Sequence, residues 1–325
     1  MIAGHVFDDR SGMVSWSEDK QQALVPALEN VLGRDNVLLG EPLCKHTTFA
    51  IGGPADVYAI PQSIEDLARI HRVCSDTLTP MRILGKGSDL LVADSGVRGV
   101  VVQVLGNLSE ITIDGNIIRA QAGATNSEVA QAALQAGLSG FEFAAGIPGT
   151  IGGAAIMNAG AYGGEFRDVC IELTCIDSEG DFVTVSRDDA EWSYRHSMMS
   201  EEGYVVAEAV LELAPADPEE IKATMDDLQA RREEKQPLEM PSAGSTFKRP
   251  EGYFAGKLIQ DAGLQGASVG GAQVSTKHAG FVVNAGNASA ADVLGLIRHV
   301  RETVKARFGV DLEPEVRMWG FQDGE

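Results

Sequence analysis

Apolar residues recur at three- and four-residue spacing in five stretches of the chain. These are Leu24, Leu28 and Leu32; Leu67, Ile70 and Val73; Val129, Ala133 and Leu134; Ile221, Met225 and Leu228; and Val293, Leu296, Ile297, Val300 and Val304. That period puts the apolar side chains on one helix face, so five amphipathic helices are predicted. Three of them open on a capping-box pattern: Ser63-Ile-Glu-Asp66, Thr125-Asn-Ser-Glu128 and Ser289-Ala-Ala-Asp292. Between the helices the pattern shortens to β-type runs. Residues 81–92 read as strand, tight loop, strand, and residues 111–118 as a hairpin turning at Asp114-Gly115. Residues 171–185 read as a second hairpin turning over 178–181, and residues 280–284 as a short buried strand.

Strand signals alternate with a few helices over 47–216. After Pro215 and Pro218 a charged helix, short strands and a last long helix follow. The predicted organisation is a polar N-terminal tail (1–20), a first domain over 21–216 with its core about 51–216, and a smaller α+β domain over 217–325.

Glycine changes the picture in two places. Residues 140–164 hold eight glycines among small apolar side chains. Glycine serves where backbone turns with positive φ or approaches a ligand closely, and successive N–H groups in such loops can converge on an anion. A structural turn or a linker is the plain alternative, but a linker would lack Ile147, Pro148, Ile151, Met157 and Tyr162. The second place is Gly85-Lys86-Gly87-Ser88-Asp89-Leu90. A dinucleotide fingerprint would need glycine at position 90 and a following helix, whereas Leu90, Leu91 and Val92 continue as strand.

Net charge is −21 with a pI near 4.6, which repels nucleic acid and anionic membrane surfaces. An anionic substrate must therefore meet a local cluster of positive charge. The first twenty residues contain no apolar run, so neither a signal peptide nor membrane insertion is expected. Cys44, Cys74, Cys170 and Cys175 have no C-x-x-C spacing and suit reduced thiols in a cytoplasmic protein. No histidine pattern indicates a metal.

Further candidates are Arg195 in Tyr194-Arg-His-Ser197, Ser245 in residues 241–250, Glu315 in residues 312–317, and Lys235 and Lys248. Singly, each has a plain structural reading: a surface ion pair, a turn hydroxyl, a solvated charge. Two separated glycine loops in a β-rich half are similar to the FAD-binding domain of the vanillyl-alcohol-oxidase (PCMH) class. Nine segments in order sharpen this: 46–55, 84–91, 145–153, 158–163, 194–195, 243–248, 255–259, 273–278 and 313–316. Together they resemble the family of UDP-N-acetylenolpyruvoylglucosamine reductases, in its shorter branch without the inserted substrate-covering loop.

The resemblance implies an α+β protein, with 21–216 as the FAD-binding domain and 217–325 as the substrate domain. FAD would be held without a covalent bond, since Ser88 stands where covalent relatives place histidine. The cofactor residues would be Gly85, Lys86, Gly87, Ser88, Asp89 and Leu90, with Gly146, Ile147, Pro148, Gly149, Thr150, Gly152 and Gly153. Asp89 replaces the family's usual asparagine. NADPH is implied as co-substrate, and UDP-N-acetylenolpyruvoylglucosamine as the acceptor reduced during peptidoglycan synthesis. Arg195 would hold the substrate carboxylate, Glu315 would stabilise the developing enol, and Ser245 would give a proton to carbon. Asn158, Tyr162, Lys235 and Lys248 would bind substrate, and Arg195 and Glu315 are expected to face one carboxylate. A monomer is the simplest assembly expected. A flavin oxidase would need a base for proton abstraction in place of this trio. A non-catalytic relative would have lost part of it.

Overall fold

The structure, a computed structural model, describes residues 18–321. Most of the predicted polar tail lies outside the described residues. The first helix, Glu18–Leu32, begins within the last part of the expected tail.

The described chain divides into two compact units. One comprises Asp56–Gly85 and Arg98–Ala230 with the described residues up to Leu39; the other comprises Gly40–Ala55, Lys86–Val97 and the chain from Arg231 onward. A single boundary near 217 is therefore not what the structure shows. The charged helix occupies Pro218–Lys235 and the division falls at 230/231. Phe49, Ile51 and Leu91, from the two early segments, are buried in the same cluster as Ala243, Leu258, Val282 and Leu296. Burial of those apolar side chains explains why the second unit is discontinuous.

The first unit contains a five-stranded antiparallel sheet in the order Phe182–Ser186, Cys170–Ile176, Val205–Glu212, Ile117–Gln121, Ile111–Asp114. Ile118, Ala120, Leu173 and Leu211 from the sheet pack with Val129, Ile151 and Ala155 from the helices Asn126–Gln135 and Ile151–Met157. Phe141, Phe166 and Trp192 continue this core through edge-to-face contacts at 6.5 and 5.9 Å. Strand Val97–Gln103 pairs in parallel with Met81–Leu84. Its near-continuous apolar run is buried on both faces, as parallel strands usually are. Leu24, Leu28, Leu67 and Ile70 cover it.

The second unit has a four-stranded antiparallel sheet in the order Ser242–Ser245, Phe281–Asn284, Ala272–Val274, Ser268–Val269. Helix Ala290–Phe308 packs its predicted stripe of Val293, Leu296, Ile297, Val300 and Val304 into this core. Leu90–Val92 pairs in parallel with Arg317–Trp319.

The capping boxes at Thr125 and Ser289 form in full. At Ser63 only half forms. Asp66 N–H donates to Ser63 Oγ, but the Asp66 carboxylate accepts from Gln62 N–H instead. The first hairpin turns one residue later than expected, over Gly115 and Asn116, with Asp114 paired to Ile117. Among these turn residues only Gly115 has positive φ (59°), which suits a II′ turn with glycine first.

Candidate functional site

In the first unit the long glycine segment feeds helix Ile151–Met157, with Thr150 at its N-cap. The N–H groups of Ile151 and Gly152 donate to Ala124 O and Ala122 O at 2.8 and 2.9 Å. Ile147 N–H is likewise taken by Ala144 O at 2.9 Å and Pro148 has no N–H, so any anion cradle must come from the remaining amides of 146–153. Gly152 has a packing reason: a Cβ there would lie 2.9 Å from Ala122 Cβ. Gly149 has φ 147°, a region that disfavours other residues. Gly153 and Pro148 are exposed, Gly146 and Ile147 half-buried.

The two glycine loops meet at Gly85, where a Cβ would lie 2.5 Å from Thr150 Oγ1. Behind the segment, Asn126 is 1% exposed, its backbone N–H donates to Gly149 O, and Nδ2 donates to Ile147 O at 3.3 Å. Its Oδ1 is buried with no hydrogen-bond partner among the described residues. Close backbone approach at two glycines fits a nucleotide cofactor better than a linker, and the orphaned Asn126 acceptor suits one of its hydroxyl donors, not its pyrophosphate. A linker would have no such built surroundings.

The same unit carries Arg195. Ser193 and His196 exchange backbone hydrogen bonds, so Tyr194 and Arg195 form the tip of a tight turn. Arg195 has φ 57°, and its guanidinium lies 5.0 Å from the Tyr194 ring centroid, a cation–π distance. Tyr162 tops a two-residue turn between Gly160–Ala161 and Gly164–Glu165, exposed and with φ 55°. Asn158, expected to bind substrate, is turned into the protein. It is 1% exposed, and Nδ2 donates to Glu165 Oε2 (2.9 Å) and Ser193 O (3.2 Å) while Oδ1 accepts from Arg167 N–H (3.0 Å). Both amide hydrogens are used within the protein.

In the second unit, Gly87 has φ 60°, and a Cβ there would lie 2.6 Å from His46 O. Thr48 ties this loop to the strand Ser242–Ser245: Thr48 N–H donates to Gly87 O, Thr48 Oγ1 donates to Ser242 O at 2.7 Å, and Ser242 N–H donates to Thr48 O. Gly244, at φ 73°, faces Ser88 O. Ser245 beside it is exposed, at the end of a strand whose register slips between Ser242 and Ser245.

Glu315 reaches Ser245 through backbone pairing. Glu315 N–H donates to Thr246 O, Lys248 N–H donates to Glu313 O, and Phe247 bridges Pro314. Two residues on, Arg317 N–H donates to Asp89 O and Arg317 Nε lies 3.9 Å from Asp89 Oδ2. Thus Ser245, Glu315, Ser88 and Asp89 gather in one unit, although the sequence separates them widely. Leu90 is buried in the parallel pair and Lys86 is exposed. Lys248 forms an ion pair with Glu313, so its charge is shared with a carboxylate. Lys235 is exposed in the last turn of its helix.

Sequence reasoning assigned no role to Thr48, Asn126 or Ser197. Thr48 and Ser197 fell inside or beside quoted segments, so proximity to a motif was a usable signal. Asn126 had none beyond its place at a helix start.

Known proteins resemble this chain in sequence and in structure. A family model described as the C-terminal domain of UDP-N-acetylenolpyruvoylglucosamine reductase matches residues 236–319, and one described as an FAD binding domain matches 55–186. The chain is 53% identical to the UDP-N-acetylenolpyruvoylglucosamine reductase of Agathobacter rectalis over 92% of this chain and 99% of that one. The enzyme of that name from Caldanaerobacter subterraneus is 48% identical over 92% and 99%. The crystal structure of UDP-N-acetylenolpyruvylglucosamine reductase from Thermus caldophilus superposes with a TM-score of 0.75 at 36% identity, covering 87% of this chain and 98% of that one. With identity of this extent over nearly its whole length, the chain belongs to the UDP-N-acetylenolpyruvoylglucosamine reductase family.

Proposed function

We propose that this protein is an FAD enzyme that uses NADPH to reduce the enolpyruvyl group of UDP-N-acetylenolpyruvoylglucosamine, giving UDP-N-acetylmuramate for peptidoglycan. The observation that carries the mechanism is the pairing of residues 246–248 with 313–315, which sets Glu315 beside the strand that ends in Ser245. Bound FAD would supply hydride exchange, accepting from NADPH and donating to the terminal alkene carbon. The residues named for it are Gly85, Gly87, Ser88, Asp89 and the segment 146–153; the flavin would lie in the N-terminal part, where the FAD-binding family model matches, and the substrate would be taken by the C-terminal part.

The chain's own work is binding and proton management. Hydride arriving at the alkene carbon leaves carbanion or enolate character on the carbon bearing the carboxylate. Preorganised donors facing that charge lower the barrier. Arg195 would hold the carboxylate by a charge-assisted contact. Glu315 would hydrogen-bond the developing enol, and the Ser245 hydroxyl would transfer its proton to carbon and be reprotonated from solvent. Tyr162, Lys235 and Lys248 would meet the nucleotide portion, offsetting the charge of −21 where a diphosphate must approach.

No helix among the described residues is long and apolar enough to cross a membrane. The four cysteines are unpaired, and burial pushes Cys74, Cys170 and Cys175 up to about 12. Inert reduced thiols of this kind support a cytoplasmic site of action.

Ser245→Ala tests the assignment. Stopped-flow mixing with NADPH should show flavin reduction at the unmodified rate, while reoxidation by substrate slows about 10²–10⁴-fold, the usual contribution of a positioned acid. Equal slowing of both steps would make Ser245 a flavin-positioning residue instead. Acid precipitation of the purified protein should release yellow flavin into the supernatant; colour kept in the pellet would contradict non-covalent binding.

A further inference from the structure

We propose that Asn158 and Ser197 are positioning residues that fix Arg195 relative to the glycine segment; this rests on the reading of Arg195 as the carboxylate-binding group. The inference starts from where the Arg195 turn is anchored. On its N-terminal flank, Trp192 Nε1 donates to Ala155 O at 2.7 Å and Ser193 O accepts from Asn158 Nδ2 at 3.2 Å. On its C-terminal flank, Ser197 Oγ donates to Ile156 O at 2.8 Å, with Ser197 fully buried. Ala155, Ile156 and Asn158 belong to one helix end: two carbonyls of Ile151–Met157 and its C-cap.

Carbonyls in the last turn of a helix lack intrahelical partners and accept from elsewhere. Here residues flanking the Arg195 turn supply donors. The other end of the helix is its N-cap Thr150, inside the cofactor stretch 146–153, about 10 Å away at 1.5 Å per residue. A short rigid rod therefore links the cofactor segment to the turn carrying Arg195.

Backbone conformation points the same way. Arg195 (φ 57°) and Asn158 (φ 42°) both hold left-handed backbone, which persists in non-glycine residues only where surrounding contacts over-determine it. Asparagine tolerates that conformation better than most residues and also brings two amide hydrogens. Aspartate would lose both donors and face Glu165, which lies 2.9 Å from Nδ2. With these contacts the Ser193 carbonyl is held by Asn158 as well as by His196 N–H, which leaves the turn little freedom to swing.

The test is a double-mutant cycle on the FAD-loaded enzyme with Asn158→Gly and Arg195→Ala, alone and combined. Glycine keeps the positive φ at position 158 while removing the amide. Asn158→Gly alone should slow substrate-driven flavin reoxidation by about 10- to 100-fold, the scale of an ångström-level misplacement. NADPH-driven reduction and flavin content should stay within about twofold. In the Arg195→Ala background, adding Asn158→Gly should change reoxidation by less than about twofold, the margin expected of a residue acting only through Arg195. Ser197→Ala should behave alike with a smaller effect, and it decides by the same criterion if Asn158→Gly does not fold.

Additive effects would overturn the proposal, since Asn158 would then act on substrate independently of Arg195. Equal slowing of both half-reactions, or loss of flavin, would overturn it in favour of a role in the glycine segment. Normal reoxidation in both Asn158→Gly and Ser197→Ala, with Arg195→Ala impaired, would sink the positioning role but leave Arg195's. An unimpaired Arg195→Ala would remove the carboxylate reading itself, and the positioning role with it.

Discussion

Tyr162 precedes Gly163 in a two-residue turn, and both have positive φ, 55° and 93°. This is the I′ arrangement, which favours asparagine or glycine in its first position. A tyrosine held there costs on the order of 1–3 kcal/mol, and with 47% of its surface exposed the ring regains little of that through burial. Tyr162→Asn should therefore raise stability by about 1 kcal/mol while raising KM for the sugar nucleotide. Urea titration and steady-state kinetics check the two halves separately; a destabilised variant would show that the ring packs after all. Glycine content pointed to backbone turning with positive φ in this segment, but not to a bulky residue held there. That depends on the paired strands around it.

At the scale of elements, the apolar stripes and capping residues placed the helices well because both signals are local. Ser289 shows it best: its hydroxyl accepts from Asp292 N–H, and the Asp292 carboxylate accepts from Ser289 N–H at 3.0 Å. Asp94 adds acceptors for Ala290 and Ala291 N–H, a second cap supplied from a distant part of the chain. Ser289→Ala should cost about 1 kcal/mol, read as a shift in denaturation midpoint without a change in slope. A loss near zero would mean that Asp94 suffices. The strands flanking the first glycine loop were legible as strands, yet their partners were not. Met81–Leu84 joins Val97–Gln103, whereas Leu90–Val92 joins Arg317–Trp319, because pairing follows long-range packing and not local pattern.

For the whole molecule, acid sensitivity should come in part from two histidines, one buried and one half-buried. His71 is fully buried beneath the 177–181 loop. Burial lowers its pKa from 6.5, with Arg72 adding to the shift and Asp177 and Glu179 opposing it. His278, edge-on to Phe281, is lowered by burial as well. Between the folded value and 6.5 the unfolded chain binds more protons, so stability should fall as pH drops below about 6.5. His71→Leu should flatten that slope in thermal melts taken across the window. An unchanged slope would assign the proton uptake to other groups.

By itself the sequence determined the α+β class, the helix starts, both glycine loops and the family, because each is written in local spacing or in ordered motifs. Only the tertiary structure decided the rest. It divided the chain into discontinuous units, since Phe49, Ile51 and Leu91 find their apolar partners beyond residue 240. It brought Glu315 beside Ser245 and Gly85 against Thr150, and it turned Asn158 inward. Those outcomes follow from which buried surfaces and hydrogen bonds close together in space, and no periodicity along the chain encodes that.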